Sequence, residues 1–130
     1  MPTAAAFHAL PRVRQRLTKA MRLRRRREFL AVSTPDGARK VSTRHFIALF
    51  ARRPEAAVTR VGVTVTKKVG HSPTRNRIRR FVREWLRTNG WLAAGWDVVI
   101  IAKGSAATVR RLADIAVDMA TVQRHVSNAC

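Results

Sequence analysis

Hydrophobic positions recur at helical spacing in one central segment of the chain. Its apolar residues fall three or four positions apart, at Ile78, Phe81, Val82, Trp85 and Leu86. This spacing puts them on one face of a helix. Ser72 is suited to the N-cap and Pro73 to the first helical position, while Asn89 and Gly90 favour a helix end. The pattern predicts a helix over residues 72–88 whose apolar stripe packs on a sheet.

Strand-like patterns lie on both sides of this helix. Residues 45–51 (HFIALFA) and 59–66 (TRVGVTVT) flank a polar segment, which predicts a hairpin, and residues 40–43 indicate a lead-in strand. In the second strand, valines alternate with glycine and threonine, so one face is predicted to meet the core while the other, thin face can admit a ligand. Residues 96–102 (WDVVIIA) form a nearly continuous apolar run, which predicts a central strand covered on both faces.

Two more helical patterns complete the series. Residues 22–32 (RLRRRREFLAV) have roughly helical spacing and are strongly basic, and the turn-forming residues 33–37 end that segment. Residues 108–125 carry a second amphipathic pattern. The resulting order of helix, two or three strands, helix, strand and helix indicates the α+β class.

The length of 130 residues suits one domain. Residues 1–20 lack sustained periodicity, so we expect a flexible basic N-terminal extension there. We expect the α+β domain to occupy residues 21–126 and a short tail to occupy residues 127–130.

The net charge says more about function than the length does. The chain has 27 Lys and Arg against 7 Asp and Glu, a net charge of +20, while 46% hydrophobic residues are enough for a packed core. Such a surface favours a polyanion, and nucleic acid is the first candidate. The longest uncharged apolar stretch, residues 98–102, is far shorter than the roughly 20 residues that cross a bilayer. With no secretory pattern in residues 1–10, we expect a cytoplasmic protein without a membrane partner.

No cluster of catalytic or metal-binding side chains is evident in the sequence. The seven acidic residues are scattered over separate segments, and the four histidines include no pair at the spacing of a helical zinc site. Cys130 is the single cysteine, which excludes an internal disulfide framework. We therefore expect no protein active site and no protein metal site, so any catalysis has to reside in a partner.

The polar side of the central helix is the most informative surface in the sequence. Its outward positions are Asn76, Arg79, Arg80, Arg83 and Arg87. Guanidinium groups form bidentate contacts with phosphates, and a helix N-terminus adds amide donors and a favourable dipole. This side of the helix is predicted to bind the backbone of a nucleic acid.

Residues 66–80 (TKKVGHSPTRNRIRR) carry a family signature. The segment resembles the bacterial ribonuclease P protein subunit family, in which a Lys-Lys-hydrophobe-Gly turn is followed, after four residues, by Arg-Asn-Arg at the start of a basic helix. Residues 67–70 match the turn and residues 75–80 match the helix. The Arg-Leu pair and later Phe of residues 22–29 resemble the family's first helix, and residues 96–103 resemble its last strand.

The resemblance implies a fold similar to the second domain of ribosomal protein S5, with a left-handed βαβ crossover through the basic helix. It also implies a subunit of the endoribonuclease that removes the 5′ leader from precursor tRNA, in which the RNA cleaves and the protein positions. The implied partners are ribonuclease P RNA and precursor tRNA, in a complex of one monomeric protein and one RNA. Mg²⁺ in that holoenzyme is expected to be held mainly by RNA phosphates.

Functional residues follow from the same resemblance. Those implied to face the catalytic RNA are Arg75, Asn76, Arg77, Arg79 and Arg80, with Arg83 as an extension of that surface. For Asn76 two roles stay open, because its side chain can bond a base edge or 2′-hydroxyl, or its own backbone in the first helical turn.

A second implied surface is a cleft between the first helix and the sheet, which takes the single-stranded leader. Its candidates are Phe29 and Phe46 as stacking platforms, with Lys67 and Lys68 as phosphate contacts. Core packing is the alternative for both aromatic rings. The chain departs from the family at Ser33 and Leu49, where many members carry aromatic residues, so fewer platforms are expected.

Two other functions remain open from the sequence. A ribosomal or other structural RNA-binding protein without a role in cleavage has the same size and charge, and the copurifying RNA would separate the two. A DNA-binding regulator is disfavoured because the strand pattern leaves no helix-turn-helix pair and no dimerisation heptad is evident.

Overall fold

The fold was analysed in a computed structural model, which describes residues 21–23, 32, 39–53 and 58–129. Within these residues the elements are β1 (Arg39–Ser42), β2 (Phe46–Arg52), β3 (Arg60–Thr64), α1 (Ser72–Asn89), β4 (Trp96–Ala102) and α2 (Ala116–Asn128). Two short 3₁₀ turns, Gly104–Thr108 and Leu112–Ile115, join β4 to α2. The predicted α+β class is confirmed.

The four strands form one sheet in the order β1-β2-β4-β3. β4 runs antiparallel to β2, with Ala48 opposite Ile100, and parallel to β3, with Val63 opposite Ile100 on the other side. The central position predicted for β4 is confirmed. The predicted hairpin between the second and third strands is wrong, because β4 lies between them. A strand as apolar as β4 gains most from the middle of the sheet, where both of its edges are paired and both faces are covered.

Alternate residues of the strands point to two different layers. Phe46, Ala48 and Phe50 lie with the valines of β3 in the main core, beneath α1 and α2. On the opposite face a smaller cluster holds Val99 with Leu23 and Val32, and Leu49, Ala51 and Ile101 pack against it half-buried. Within the described residues, the sheet therefore has one fully packed face and one lightly covered face.

The helix α1 covers the packed face through its apolar stripe. Ile78, Val82, Trp85 and Leu86 are buried, as the spacing predicted. The N-cap is His71 rather than the predicted Ser72, which lies one position inside the helix. The Oγ of Ser72 accepts a hydrogen bond from Arg75 Nη2 at 3.0 Å instead of capping a backbone amide.

The end of α1 and the return to the sheet are fixed by Gly90 and by Thr59. Gly90 adopts φ 98°, a left-handed value that favours glycine. The loop after it is held by the fully buried Thr59, whose carbonyl accepts a hydrogen bond from Trp91 Nε1 at 2.7 Å. The Thr59 Oγ1 accepts another from the backbone amide of Trp96 at 3.1 Å. These bonds align the starts of β3 and β4, on which the parallel pairing depends.

The other two predicted helices differ from the structure at their starts. Arg22 is not helical but forms a parallel β-bridge with Val61, and the Leu23 amide donates to the Val61 carbonyl at 3.1 Å. Val32 is helical, and residues 24–31 lie outside the described residues. The final helix begins at 116 rather than 108, because the Asp114 carboxylate accepts the amides of Arg110 and Arg111 and turns the chain there.

Several other expectations fall on residues that the structure does not describe. They concern the extension at 1–20, the turn at 33–37 with Ser33, the leader-binding Phe29 and the terminal Cys130. The handedness of the β3-α1-β4 crossover also stays a prediction.

Candidate nucleic-acid interface

One side of α1 and the bridge residue Arg22 together enclose an open pocket of about 440 Å³. The residues that line it are Arg22, Asn76, Arg79, Arg80, Arg83, Glu84 and Arg87. The helical spacing of three, four and seven residues aligns the α1 members along one face, as predicted. Arg22 reaches them because residues 21–23 run along the free edge of β3, next to α1. We refer to Arg22, Asn76, Arg79, Arg80, Arg83 and Arg87 as the pocket face.

Hydrogen bonds fix the middle of the pocket face. Arg79 donates through Nη1 to Asn76 Oδ1 at 3.2 Å and through Nη2 to the Val65 carbonyl at 3.4 Å. The guanidinium of Arg80 lies 5.8 Å from the ring centroid of Phe81, within cation–π range. Asn76 thus contributes a side-chain oxygen that orients an arginine, a role additional to the two expected for it.

Positive charge is concentrated to the point of mutual repulsion. Partial burial lowers the pKa of the Arg83 guanidinium, and the charges of Arg22 and Arg79 lower it further. Arg83 is nevertheless charged at any physiological pH, because the reference pKa of a guanidinium is so high. A bound anion would relieve this repulsion, so the pocket is poised for negative charge.

Among the residues that the structure describes, Glu84 is the one carboxylate that lines the pocket. Its Oε1 lies 2.5 Å from Arg87 Nη2 in an i,i+3 ion pair, which partly balances the charge of Arg87. The other four arginines outnumber the acidic groups that line the same pocket. The net potential of this surface is therefore positive.

Arg75 and Arg77 do not line this pocket. Arg75 turns back to Ser72 at the start of α1, and its buried Nε has no hydrogen-bond partner among the described residues. Arg77 donates from Nε to the Val109 carbonyl at 3.2 Å, on the flank of α1 that faces the 3₁₀ turns. The six residues implied by the resemblance are thus divided between two sides of the helix.

Arg22 was absent from the predicted site, and Arg87 was noted only for its helix face. The i,i+4 spacing from Arg83 to Arg87 was a sufficient signal for Arg87. Arg22 had none, because its place in the pocket depends on a β-bridge to Val61, which is 39 residues away in sequence.

The Lys-Lys turn lies between β3 and α1. Lys67 and Lys68 are exposed, and the turn is closed by a hydrogen bond from the Val69 amide to the Thr66 carbonyl at 3.0 Å. A Cβ at Gly70 would lie 3.2 Å from both Cβ and Cγ2 of Thr74, so a larger residue would disturb the entry into α1. Both lysines are thereby presented to solvent at the start of the arginine helix.

The predicted cleft would lie on the lightly covered face of the sheet, and it stays a prediction because residues 24–31 of its other wall lie outside the described residues. Ile47, Leu49 and Ile101 are half-buried on this face. Phe46 is 0% exposed and belongs to the opposite, packed layer. The prediction of Phe46 as a stacking platform is therefore wrong, because strand alternation turns its ring into the core beneath the helices. Phe29, the other candidate, lies outside the described residues.

The described residues also bear on metal binding and on membrane insertion. There, no group of three or more His, Cys, Asp or Glu side chains is arranged to hold a metal ion. No helix of the described ranges combines the length and apolar character needed to span a bilayer.

Comparison with known proteins identifies the family of the chain that carries this basic surface. The family model described as ribonuclease P matches residues 17–126. The chain belongs to the ribonuclease P protein family. A relative named ribonuclease P protein component, from Desulfatibacillum aliphaticivorans, is 49% identical over 87 residues, which cover 66% of this chain and 71% of the relative.

Solved ribonuclease P proteins share the fold. The Staphylococcus aureus protein superposes with a TM-score of 0.68 at 24% identity, covering 85% of this chain and 95% of that one. The Thermotoga maritima protein gives 0.59 at 30% identity, covering 83% and 93%. The chain is accordingly a protein component of ribonuclease P, a subunit of an endoribonuclease that processes tRNA, and its partner is ribonuclease P RNA.

Proposed function

We propose that the pocket face of α1 binds the sugar–phosphate backbone of ribonuclease P RNA. The observation that carries the proposal is the convergence of five guanidiniums and one amide on a single pocket of about 440 Å³. Guanidinium forks match phosphate oxygens bidentately, so this arrangement contributes geometry as well as charge. The bond from Arg79 to Asn76 reduces the freedom that Arg79 loses on binding.

The second half of the proposal concerns the 5′ leader of precursor tRNA. We assign it to the lightly covered sheet face, where Leu49 and its aliphatic neighbours offer an apolar floor. Lys67 and Lys68, exposed in the turn, supply phosphate contacts at the rim. Phe29 remains the proposed stacking residue. With Leu49 in place of an aromatic ring, stacking contributes less to leader affinity than it does on an aromatic floor.

The chemical step belongs to the RNA in this proposal. The chain's described residues do not fit a protein metal site, so the proposal places Mg²⁺ mainly on RNA phosphates. The protein binds the leader and orients it, and the holoenzyme hydrolyses the phosphodiester that yields the mature tRNA 5′ end. We further propose one protein per RNA, a cytoplasmic location, and an RNA-binding domain at 21–126 preceded by the basic extension at 1–20.

Reconstitution with ribonuclease P RNA and precursor tRNA tests the proposal. Arg79→Ala/Arg80→Ala is expected to weaken RNA binding about tenfold or more and to reduce the slope of log affinity against log salt by about one for each phosphate that is no longer bound. Leader removal at low magnesium is expected to fall in parallel. The matched control is Arg39→Ala/Arg124→Ala, which removes two exposed arginines outside the pocket. Equal affinity and slope for the two double variants would refute the assignment.

A further inference from the structure

A second group of arginines lies on the flank of α1 that faces away from the pocket. It consists of Arg77 on α1, Arg110 and Arg111 between the two 3₁₀ turns, and Arg44 between β1 and β2. We call these four residues the loop arginines. Arg44, Arg110 and Arg111 are exposed. None of those three belongs to the sites predicted from the sequence.

Hydrogen bonds connect the segments that carry the loop arginines. Arg77 Nε donates to the carbonyl of Val109, the residue before Arg110, at 3.2 Å. Ser105 Oγ donates to the Arg44 carbonyl at 2.9 Å. The β1–β2 turn and α1 are therefore both tied to the chain that follows β4, and the four side chains are carried by one scaffold.

Nearby carboxylates bind backbone amides. Asp114 Oδ2 accepts from the amides of Arg110 and Arg111 at 2.9 and 3.1 Å, and Asp118 Oδ2 accepts from the His45 amide at 2.9 Å. The nearest approach of the Arg111 guanidinium to Asp114 is 3.8 Å, and its side chain is 80% exposed. An exposed pair of this length neutralises little of the positive charge.

The charge balance on this flank also appears in the titration of Asp114. The amide hydrogen bonds lower the pKa of the Asp114 carboxyl, and the charges of Arg111 and His45 lower it further. Geometry places the β1–β2 turn on the same flank, because Ser105 Oγ lies within hydrogen-bond distance of both the Arg44 carbonyl, at 2.9 Å, and His45 Nδ1, at 3.0 Å. The carboxylate stays ionised and bonded to the backbone over the physiological pH range.

We propose that the loop arginines bind a second stretch of ribonuclease P RNA backbone, distinct from the stretch bound by the pocket face. This inference rests on the proposed function. The 3₁₀ turns and α1 pack on the same face of the sheet, through Val109, Ile115 and the apolar stripe. The leader is assigned to the opposite face. An RNA that covers α1 is thus the polyanion able to reach both of its flanks, and Arg77 is the contact nearest the boundary between them.

The first test compares double variants in titrations with ribonuclease P RNA between 50 and 200 mM salt. Arg110→Ala/Arg111→Ala keeps the backbone amides that bond Asp114, so the turn is retained. We expect about a tenfold loss of affinity and a salt slope smaller by about two, one for each phosphate that the variant no longer binds. Arg110→Lys/Arg111→Lys should recover most of the slope because the charge is kept. Arg39→Ala/Arg124→Ala is again the control.

The outcomes separate this inference from the proposed function. If Arg110→Ala/Arg111→Ala behaves like the control while Arg79→Ala/Arg80→Ala loses affinity, the second surface is refuted and the pocket face stands. If all three double variants behave alike, the pocket assignment fails as well. A loss confined to precursor tRNA binding by the assembled holoenzyme would also refute the second surface, since it would assign the arginines to the substrate.

A second test locates the contacted nucleotides directly. Cys130→Ser removes the single cysteine, after which Arg111→Cys or Arg80→Cys can carry an iron chelate that cleaves nearby RNA by hydroxyl radicals. We expect the two positions to cleave separate sets of nucleotides in ribonuclease P RNA. Coincident sets, cleavage of the leader alone from position 111, or no cleavage from that position would overturn the proposal. Absence of cleavage from position 111 would indicate that this surface binds an acidic protein instead of RNA.

Discussion

The two sides of α1 differ in chemistry and in environment: one is apolar and buried against the core, and the other is cationic and lines the pocket. Its apolar side, Ile78, Val82, Trp85 and Leu86, is buried and joins the sheet to the rest of the core. Its pocket face gathers arginines whose charges repel one another, as the lowered pKa of Arg83 indicates. The apolar side therefore holds the helix on the core, while the pocket face keeps an unfavourable density of positive charge.

The largest expected effect comes from breaking the apolar side. Trp85→Ala should lower the free energy of unfolding by about 3 to 5 kcal/mol, because a large buried ring is replaced by a cavity. Urea unfolding followed by circular dichroism measures this. Arg80→Ala, on the exposed side of the same helix, should stay within about 0.5 kcal/mol of the parent protein. Equal losses for the two variants would mean that the two sides do not differ as described.

An intermediate effect is expected when the pocket is filled with an anion. Sulfate at ten times its dissociation constant should stabilise the protein by about 1.4 kcal/mol, because the anion binds the folded pocket and relieves repulsion there. Arg79→Ala/Arg83→Ala should unfold at nearly the parent's midpoint without sulfate and lose most of the sulfate-dependent gain. Thermal unfolding over a sulfate series gives both numbers. A full gain in the double variant would place the anion elsewhere.

The smallest effect concerns Asp114, which supports the loop arginines. Its pKa is lowered in the folded protein by the amides of Arg110 and Arg111, so its contribution to stability is present above the unfolded pKa of about 3.9. That contribution is lost as pH falls through the lower folded pKa. Asp114→Asn should therefore be slightly less stable than the parent at pH 7 and indistinguishable from it at low pH. A stability difference that does not change with pH would contradict this origin.

Much of the fold could be predicted from local patterns in the sequence. The stripe on α1 and the central placement of β4 follow from spacing and from an unbroken apolar run, because burial of such positions is favourable in almost any arrangement. The Lys-Lys turn and the Arg-Asn-Arg start of the helix indicated the ribonuclease P protein family, and the match of the family model confirms that membership. Helix ends were predicted less well. The start of α1 at His71 has no side-chain cap, and the turn before α2 depends on two amide bonds to Asp114, neither of which the spacing pattern indicates.

The candidate site could be predicted only in part, because helical spacing does not show which side chains bond elsewhere. Helical spacing aligned Asn76, Arg79, Arg80 and Arg83. It could not show that Arg75 bonds back to Ser72 in the first turn or that Arg77 bonds to the Val109 carbonyl. Nor could it choose between core and cleft for Phe46, because an alternating strand has two faces and the sequence does not say which one the helices cover.

By itself, the sequence determined the charge, the amphipathic helix, the strand segments and the motif that places the chain in its family. Tertiary structure alone decided that β4 separates β2 from β3, that Phe46 faces the helices, and that Arg22 joins the pocket across a bridge to Val61. Periodicity acts over a few residues along the chain. Strand order and the meeting of distant side chains depend on contacts between segments, which are fixed only when the whole core is packed.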